Sequence, residues 1–476
     1  MSSSNETILM NKHLLPTTVS VLCGILPCKY ELVDVSSNQP IQRIVVSHLD
    51  SIQNDCLFIP YEESDEQCVD MVNKGACCIM TDHLIKGVPC VVVESLIDAL
   101  YSICKWMFEE IGLPSVVVAG SEGKTTTKRM IKRVLETERS VFCQIENYNT
   151  FQALCCSLQQ IICGTEVIVQ EVDEKRINST SNCSKILKPR VAVVTNIAEA
   201  HIGFYGSKEA LIRSFLGITQ GMLDDGVVII NGDDNDSLRA DFGKKVVTVG
   251  IQNETCDYLA KNIISNLQGT KYDLYSKGNR IATITLRVNG VHNVYNSMMA
   301  FVVGRLHGIS VSNICKSLLA YKNSGIRQNV SKLGKIIIYA DCYNASATSV
   351  RFAIKCFDDI TIGKKTVLVL GDIAEIEGLE EETYRQIADY VNLSHADAIC
   401  TYGKDSSRIL RYVTRPIEKK ETKNLIELVS YLKILKKSGY TCFMFKASRI
   451  MKMEQVIAAA FPLQYKLIKL KEKLSK

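Results

Sequence analysis

The sequence predicts an α/β protein of three domains, built around a central parallel sheet that carries a phosphate-binding loop. Short apolar, β-branched runs alternate with helical patterns along most of the chain. At residues 116–138 an apolar run ends in a glycine loop, which leads straight into a helix-forming segment. A length of 476 residues also exceeds what a single hydrophobic core usually serves. Together these observations favour several α/β units over one domain.

The predicted domain boundaries follow changes of pattern. Residues 1–111 hold short strands and a last helix, which ends before the turn sequence Gly-Leu-Pro. Residues 112–326 hold the phosphate loop, buried-strand candidates and an antiparallel edge at 257–286. Residues 327–476 again alternate strands with helices, which predicts a Rossmann-like C-terminal domain. The apolar stretch at 14–26 is too short to span a bilayer and predicts a buried helix.

Composition narrows the classes of function. A hydrophobic fraction of 46% and a charged fraction of 22% are typical of soluble globular proteins. The net charge of +5 is small, and without a long basic block it gives no indication of nucleic-acid binding. The nineteen cysteines are scattered, odd in number and without a CxxC pair. They predict reduced thiols that pack as small apolar residues in a cytoplasmic protein, with no signal peptide and no membrane partner.

The glycine loop supplies the first candidate site residues. Its two glycines allow a tight turn whose N–H groups can face phosphate oxygens, next to the positive end of a helix. Lys124 can reach the β- and γ-phosphates, and the Thr125 hydroxyl can ligate Mg²⁺. The alternative is a glycine turn that binds nothing, but strand, Gly-Lys-Thr and helix occur together. The nucleotide-binding candidates of the loop are Gly120, Ser121, Glu122, Gly123, Lys124, Thr125 and Thr126.

A series of short segments then follows in a characteristic order. After the phosphate loop and Glu171 at a strand end come segments at 194–201, 290–296, 325–328, 341–346, 370–375 and 445–449. In content and order they resemble the Mur ligase family, cytoplasmic ATP-dependent amide ligases of peptidoglycan synthesis. The segments Asp-Cys-Tyr-Asn-Ala-Ser and Gly-Asp-Ile-Ala-Glu favour the branch that joins D-Ala-D-Ala to UDP-MurNAc-tripeptide. The resemblance covers residues 112–460.

This resemblance implies a mechanism in which a substrate carboxylate attacks the γ-phosphate of ATP, and an amine then displaces phosphate from the acyl phosphate. Such chemistry needs neutralised charge and reactants held in line. ATP and Mg²⁺ are the implied cofactors, with UDP-MurNAc-peptide and D-Ala-D-Ala as possible substrates. The implied catalytic residues are Lys124, Glu171, His201 and Asp341.

The resemblance also assigns binding roles. Thr125, Glu171 and His201 match metal-side positions. The implied nucleotide contacts beyond the loop are Asn293, Asn296, Arg327 and Asp341. The implied substrate contacts are Asn147, Asn149, Asn344, Lys446 and Arg449. Structural roles are the alternative at each position: a histidine after a buried strand, asparagines that cap a helix, or a solvated helix start at Lys446 and Arg449.

Three departures from the family pattern bear on function. Phe215 stands where family members carry a lysine whose carbamate stabilises a second metal, and Gly217 replaces a nearby glutamate. The segment after Glu171 reads Val-Asp-Glu-Lys-Arg-Ile and lacks the usual Gly-Glu-Ile. In the first domain, residues 46–50 and 56–62 differ from the family's UDP-sugar segments.

Three functional hypotheses therefore stand side by side. The first is a cell-wall ligase of the D-Ala-D-Ala-adding type. The second is an amide ligase of the same fold that acts on another carboxylate and amine in a specialised pathway, which the changed first domain motivates. The third is a non-catalytic nucleotide-binding regulator, which Phe215 motivates. In each case we expect a monomer.

Overall fold

Residues 15–47, 52–61, 63–144, 148–173, 178–197, 205–323, 326–374, 376 and 378–473 are described by a computed structural model. In these residues the strands form three large sheets and one small antiparallel pair. Apolar clusters lie on both faces of each large sheet. Burial on both faces explains why most of the parallel strands appear in the sequence as continuous apolar runs.

The first large sheet lies between residues 30 and 93, with the order β2-β7-β6-β5-β4. Strands β4 to β7 are parallel, and β2 pairs antiparallel with β7. The elements of this part are β1 (Thr17–Thr18), α1 (Val19–Gly24), β2 (Tyr30–Val33), β3 (Pro40–Ile41), β4 (Arg43–Val46), β5 (Cys56–Ile59), α2 (Asp65–Asn73), β6 (Ala76–Thr81), β7 (Cys90–Val93) and α3 (Leu96–Ile111).

The predicted N-terminal helix over 14–26 is wrong in extent. Thr17 and Thr18 pair antiparallel with β3, so α1 begins only at Val19. Thr18 then serves as the N-cap, since its side chain accepts a hydrogen bond from the Val21 N–H. Pairing with a distant strand therefore outweighs local helical preference at this end, because it satisfies backbone groups that a helix would otherwise have to satisfy.

The central sheet has the order β16-β15-β14-β13-β12-β11-β8-β10-β9. It is parallel from β9 to β14, and β15 and β16 add the antiparallel edge predicted at 257–286. Its elements are β8 (Ser115–Ala119), α4 (Lys124–Leu135), β9 (Val141–Cys143), α5 (Phe151–Leu158), β10 (Val167–Glu171), α6 (Ser179–Leu187), β11 (Val191–Val194), α7 (Lys208–Leu216), β12 (Val227–Asn231), α8 (Asn235–Arg239), β13 (Lys245–Gly250), β14 (Tyr258–Asn266), β15 (Gly269–Ser276), β16 (Asn279–Leu286), α9 (Val291–Leu306) and α10 (Val311–Ala320).

The register of the central sheet gathers three strand ends at one place. Glu171 of β10 lies opposite Val118 of β8, and Val194 of β11 lies opposite Ala119. The loops after these strands therefore meet at the carboxyl edge of the sheet. The sequence predicts a helix over 128–138, but α4 begins at Lys124, because Gly123 at φ +81° turns the chain directly into the helix.

The C-terminal sheet has the order β17-β18-β22-β19-β20-β21, and β17 is its antiparallel member. Helices pack on both faces, as the predicted Rossmann-like arrangement requires. Its elements are β17 (Asn329–Leu333), β18 (Ile336–Asp341), α11 (Ala347–Ile360), β19 (Thr366–Gly371), α12 (Glu380–Leu393), β20 (Ala398–Tyr402), α13 (Ile409–Tyr412), β21 (Glu418–Thr422), α14 (Leu425–Lys437), β22 (Cys442–Lys446), α15 (Met453–Ala460) and α16 (Pro462–Lys473).

Two further expectations concern the surroundings of the protein. Across the described ranges, no helix combines the length and the apolar character that crossing a bilayer requires. The cysteine thiols are free, and many are packed in the cores. Complete burial raises the pKa of the Cys183 thiol to about 12, so this group stays protonated and behaves as a small apolar residue.

The exact domain boundaries at 111/112 and 326/327 stay predictions.

Candidate active site

The phosphate loop is held in shape by the end of the neighbouring strand β11. The Ser121 N–H donates to the Asn196 carbonyl and the Glu122 N–H to Asn196 Oδ1, each over 2.9 Å. The Thr195 hydroxyl donates to the Glu122 carbonyl over 2.6 Å. Gly120 has φ +134°, and a Cβ there would lie 1.9 Å from Thr195 Oγ1. Only glycine therefore fits this close approach of loop and strand.

Lys124 lies inside the loop. Its ammonium donates to the Gly120 carbonyl over 2.5 Å and to the Ser121 carbonyl over 3.4 Å. The Asp173 carboxylate is 3.5 Å away, and both side chains of this ion pair are about nine-tenths buried. The ammonium is thus positioned where the loop's N–H groups and the start of α4 favour a phosphate.

Thr125 and Glu171 converge beside the lysine. The Thr125 hydroxyl donates to Glu171 Oε1 over 3.2 Å, and Asn149 Nδ2 donates to the same oxygen over 3.2 Å. The Glu171 N–H is in turn held by Gln144 Oε1 at 2.7 Å. The parallel pairing of β10 with β8 is what brings the Glu171 carboxylate to the first turn of α4.

A buried ion pair that sequence reasoning missed supports Glu171. Lys128 Nζ lies 3.1 Å from Glu171 Oε2, and both side chains are only 2% exposed. Lys128 stands one helical turn after Lys124, so its spacing on α4 was the signal that could have found it. This arrangement leaves Glu171 Oε1 facing Thr125 and fixes the other oxygen on the lysine.

The asparagines expected to hold the nucleotide form a hydrogen-bonded chain. Thr127 donates to Asn296 Oδ1 over 3.1 Å, and Asn296 Nδ2 donates to Asn293 Oδ1 over 3.2 Å. Asn293 Nδ2 then donates to Gln328 Oε1 over 3.0 Å, which links α9 to the segment before β17. Asn296 reaches the cavity wall, whereas Asn293 is fully buried and supports it. The nucleotide role of Asn293 stays a prediction.

The C-terminal domain contributes charged groups from the ends of β18 and β22. Lys446 Nζ donates to Asp341 Oδ2 and to the Asn344 carbonyl, each over 2.8 Å. Lys446 is only 2% exposed, so it is not the solvated helix start that the sequence left open. The Arg327 guanidinium lies 3.6 Å over the centre of the Tyr343 ring. Stacking of this kind holds a planar cation on the cavity wall.

Arg449 differs from Lys446 in its surroundings. Its guanidinium donates to Glu454 over 2.6 Å, and the side chain is 55% exposed. It reaches the rim of the cavity, so both the expected substrate contact and a solvent-facing ion pair are compatible with its position.

Two contacts join the central domain to the C-terminal domain, one from the phosphate loop and one from α9. The Ser346 hydroxyl, which caps α11, donates to Glu122 Oε1 over 2.6 Å. His292 packs against Phe352 with ring centroids 5.6 Å apart, and burial lowers the pKa of this imidazole below its usual 6.5. Neither Ser346 nor His292 was a candidate from the sequence, since only the folded chain brings them to the loop.

These groups line one cavity of about 460 Å³ between the central and C-terminal sheets. That volume is within the usual range for small-molecule sites. His201 and Asn147 lie outside the described residues, and Gly120 is buried in the loop without lining the cavity. The candidates from the sequence that the structure brings to the cavity wall are Ser121, Glu122, Gly123, Lys124, Thr125, Thr126, Asn149, Glu171, Asn296, Arg327, Asp341, Asn344, Lys446 and Arg449.

Phe215 lies in the core, away from this cavity. Its side chain is fully buried in the cluster shared by α3, α5, α6 and α7. A phenyl ring neither ligates a metal nor carries a carbamate, so the position has become a packing position.

The donor set near the loop fits Mg²⁺. In the ranges that the structure describes, no three His, Cys, Asp or Glu side chains are grouped as a metal site. Thr125 and Glu171 nevertheless place a hydroxyl and a carboxylate oxygen 3.2 Å apart on the cavity wall. Mg²⁺ prefers such oxygen ligands and keeps several waters beside bound phosphates, so few protein ligands suffice.

The fold and the cavity define the class of protein: an α/β nucleotide-binding protein whose phosphate loop faces a separate Rossmann-like domain. Two family models match within this frame. Residues 118–304 match the Mur ligase middle domain, and residues 327–448 match the Mur ligase, glutamate ligase domain. The chain belongs to the Mur ligase family.

Relatives and solved structures cover almost the whole chain. The UDP-N-acetylmuramoyl-tripeptide–D-alanyl-D-alanine ligase of Bacillus subtilis is 28% identical over 90% of this chain and 95% of its own length. The ligase of the same name from Haemophilus influenzae is 27% identical over 88% and 93%. The crystal structure of MurF from Acinetobacter baumannii has a TM-score of 0.83 at 23% identity, covering 94% of this chain and 99% of that one. MurF from Thermotoga maritima in complex with ADP has a TM-score of 0.76 at 22% identity, covering 90% and 98%.

Proposed function

We propose that this chain is an ATP-dependent, ADP-forming ligase that joins D-Ala-D-Ala to UDP-MurNAc-tripeptide through an acyl phosphate. The observation that carries the proposal is the cavity itself: the loop residues Lys124 and Thr125 face Arg327, Asp341 and Lys446 of the C-terminal domain. Two relatives that bear this activity in their names align along 90% and 88% of the chain, which supports this substrate pair over an unrelated one.

In this proposal the nucleotide phosphates occupy the loop. The Lys124 ammonium exchanges its contacts with the Gly120 and Ser121 carbonyls for phosphate oxygens, and so neutralises their charge. Thr125 and Glu171 hold Mg²⁺, which when bound neutralises further charge on the phosphates. His201 is proposed to act at the edge of the same shell. The Arg327 guanidinium, stacked on Tyr343, offers a second fixed cation from the opposite wall.

The proposed reaction has two steps. The tripeptide carboxylate attacks the γ-phosphorus, and the bond to the β-γ bridging oxygen breaks as ADP leaves. The amine of D-Ala-D-Ala then attacks the acyl carbon, phosphate departs with the C–O electron pair, and the amine loses its proton. Asp341 fixes Lys446 at the cavity wall, where this buried ammonium can stabilise the anionic acyl phosphate. Catalysis of this kind consists mainly of positioning and electrostatic stabilisation.

The first domain is proposed to hold the UDP end of the substrate, although residues 46–50 and 56–62 differ from the usual segments. We further propose a monomer that acts in the cytoplasm. Because these segments bear on which carboxylate substrate binds, binding of UDP-MurNAc-tripeptide is measured separately from turnover.

The test is release of ADP and phosphate by the purified protein with Mg·ATP, UDP-MurNAc-tripeptide and D-Ala-D-Ala, with mass spectrometry of the product. Lys124→Ala should lower turnover at least about 100-fold, since a phosphate-neutralising charge is lost. Lys261→Ala is the matched control, because Lys261 on β14 is exposed and among the ion pairs of the described residues it pairs with Glu254. Product with the wild type and not with Lys124→Ala supports the proposal. No condensed product, with ATP still bound, contradicts this substrate pair.

A further inference from the structure

Asp173 places a second carboxylate in the phosphate pocket. It stands two residues after Glu171, just beyond the end of β10. Its side chain is 10% exposed, lines the cavity, and has Oδ1 3.5 Å from Lys124 Nζ. The lysine of the phosphate loop is therefore paired with a carboxylate, although the expected ligand of that lysine is itself an anion.

Asn149 holds Asp173 and Glu171 in one arrangement. The Asp173 N–H donates to the Asn149 carbonyl over 2.8 Å, and Asn149 Nδ2 donates to Glu171 Oε1 over 3.2 Å. Asn149 thus holds the backbone of Asp173 and the side chain of Glu171. The Asp173 carboxylate is therefore positioned in the pocket by its surroundings and is not a surface group.

The charge of the Asp173 carboxylate affects how a nucleotide binds at Lys124. A nucleoside diphosphate brings several negative charges to an ammonium that already has a carboxylate beside it. In a pocket that is nine-tenths buried, like charges repel more strongly than they do in water. A divalent cation between the phosphates and the carboxylate turns this repulsion into attraction, and the nearby Thr125 and Glu171 are suited to the same ion.

We propose that Asp173 makes nucleotide binding conditional on a divalent cation: it disfavours metal-free nucleotide at Lys124 and favours the cation-bound form. This inference rests on the proposed nucleotide site and adds to it a residue that decides which form of the nucleotide enters.

The test measures the Kd of ADP by calorimetry, once with MgCl₂ and once with EDTA. The proteins are the wild type, Asp173→Asn, and Glu254→Gln as control, since Glu254 is a 77%-exposed acid paired with Lys261. The ratio of the EDTA Kd to the MgCl₂ Kd should fall at least tenfold in Asp173→Asn. Metal-free ADP should bind tighter and Mg·ADP weaker than in the wild type. Glu254→Gln should keep the wild-type ratio.

Other outcomes overturn the inference in distinguishable ways. If Asp173→Asn tightens both forms equally, the acid only competes for Lys124. If it weakens both equally, the acid only supports the fold. If the wild type binds ADP neither with MgCl₂ nor with EDTA, the proposed function is overturned as well. Should Asp173→Asn fail to fold, Asp173→Ser is measured in the same way. Mn²⁺ binding to the ADP complex, followed by electron paramagnetic resonance, gives a readout independent of turnover: it should weaken in the variant, and unchanged Mn²⁺ affinity refutes the proposal.

Discussion

The buried pair between Lys128 and Glu171 offers the sharpest test of how the phosphate pocket is supported. The two charged groups lie 3.1 Å apart, and each side chain is 2% exposed. Lys128→Met keeps most of the length and the apolar character of the stem and removes the ammonium group. It leaves the Glu171 carboxylate buried with hydrogen bonds from Thr125 and Asn149 but without its cation.

The expected magnitude follows from burial. Removing one partner of a buried ion pair costs about 3–5 kcal/mol, whereas an exposed pair contributes about 0–1 kcal/mol. For a unit of about 200 residues the larger loss lowers the unfolding midpoint by about 6–20 °C. The same helix carries a matched control one turn further on: Lys132 lies 3.3 Å from Glu136, and their side chains are 40% and 36% exposed. Lys132→Met should therefore shift the midpoint by no more than about 4 °C.

The assay is thermal unfolding followed by circular dichroism and by the fluorescence of Trp106. This is the single tryptophan of the chain, and it packs against the core shared by α3 and the central sheet. The double variant Lys128→Met with Glu171→Gln should regain much of the loss, because no uncompensated buried charge remains. Equal shifts for Lys128→Met and Lys132→Met, or a double variant no better than the single one, would refute the reasoning.

Three further predictions concern other parts of the site. Gly120→Ala should abolish ADP binding measured by calorimetry, because its Cβ would lie 1.9 Å from Thr195 Oγ1 and 2.9 Å from a backbone nitrogen; binding within tenfold of the wild type would contradict this. Phe215→Lys should lose at least about 3 kcal/mol in urea unfolding and gain no turnover from bicarbonate, because it places an ammonium in an apolar core. Since burial lowers the pKa of His292, the unfolded chain binds the extra proton below pH 6.5. Stability should therefore fall as pH drops from 7 to 5, and His292→Gln should flatten that slope in urea titrations.

Much of the fold could be predicted from local pattern. The sequence predicts buried strands at 167–171 and 227–231, and β10 and β12 have these bounds, because a strand buried on both faces needs an unbroken apolar segment. The antiparallel edge at 257–286 also follows from alternation and turn residues. The N-terminal helix could not be bounded in this way, since the pairing of β1 with β3 depends on residues more than twenty positions away.

The sequence by itself determined the phosphate loop, the site segments in their order and hence the family, because each segment is a short run of residues that can be read without the fold. Only the tertiary structure decided which charges face one another. Lys128 meets Glu171, Asp173 meets Lys124, and Lys446 meets Asp341 across 43, 49 and 105 positions of chain. Such pairs form where the carboxyl ends of parallel strands converge, and the sheet register and the helix packing determine which side chains come into contact there.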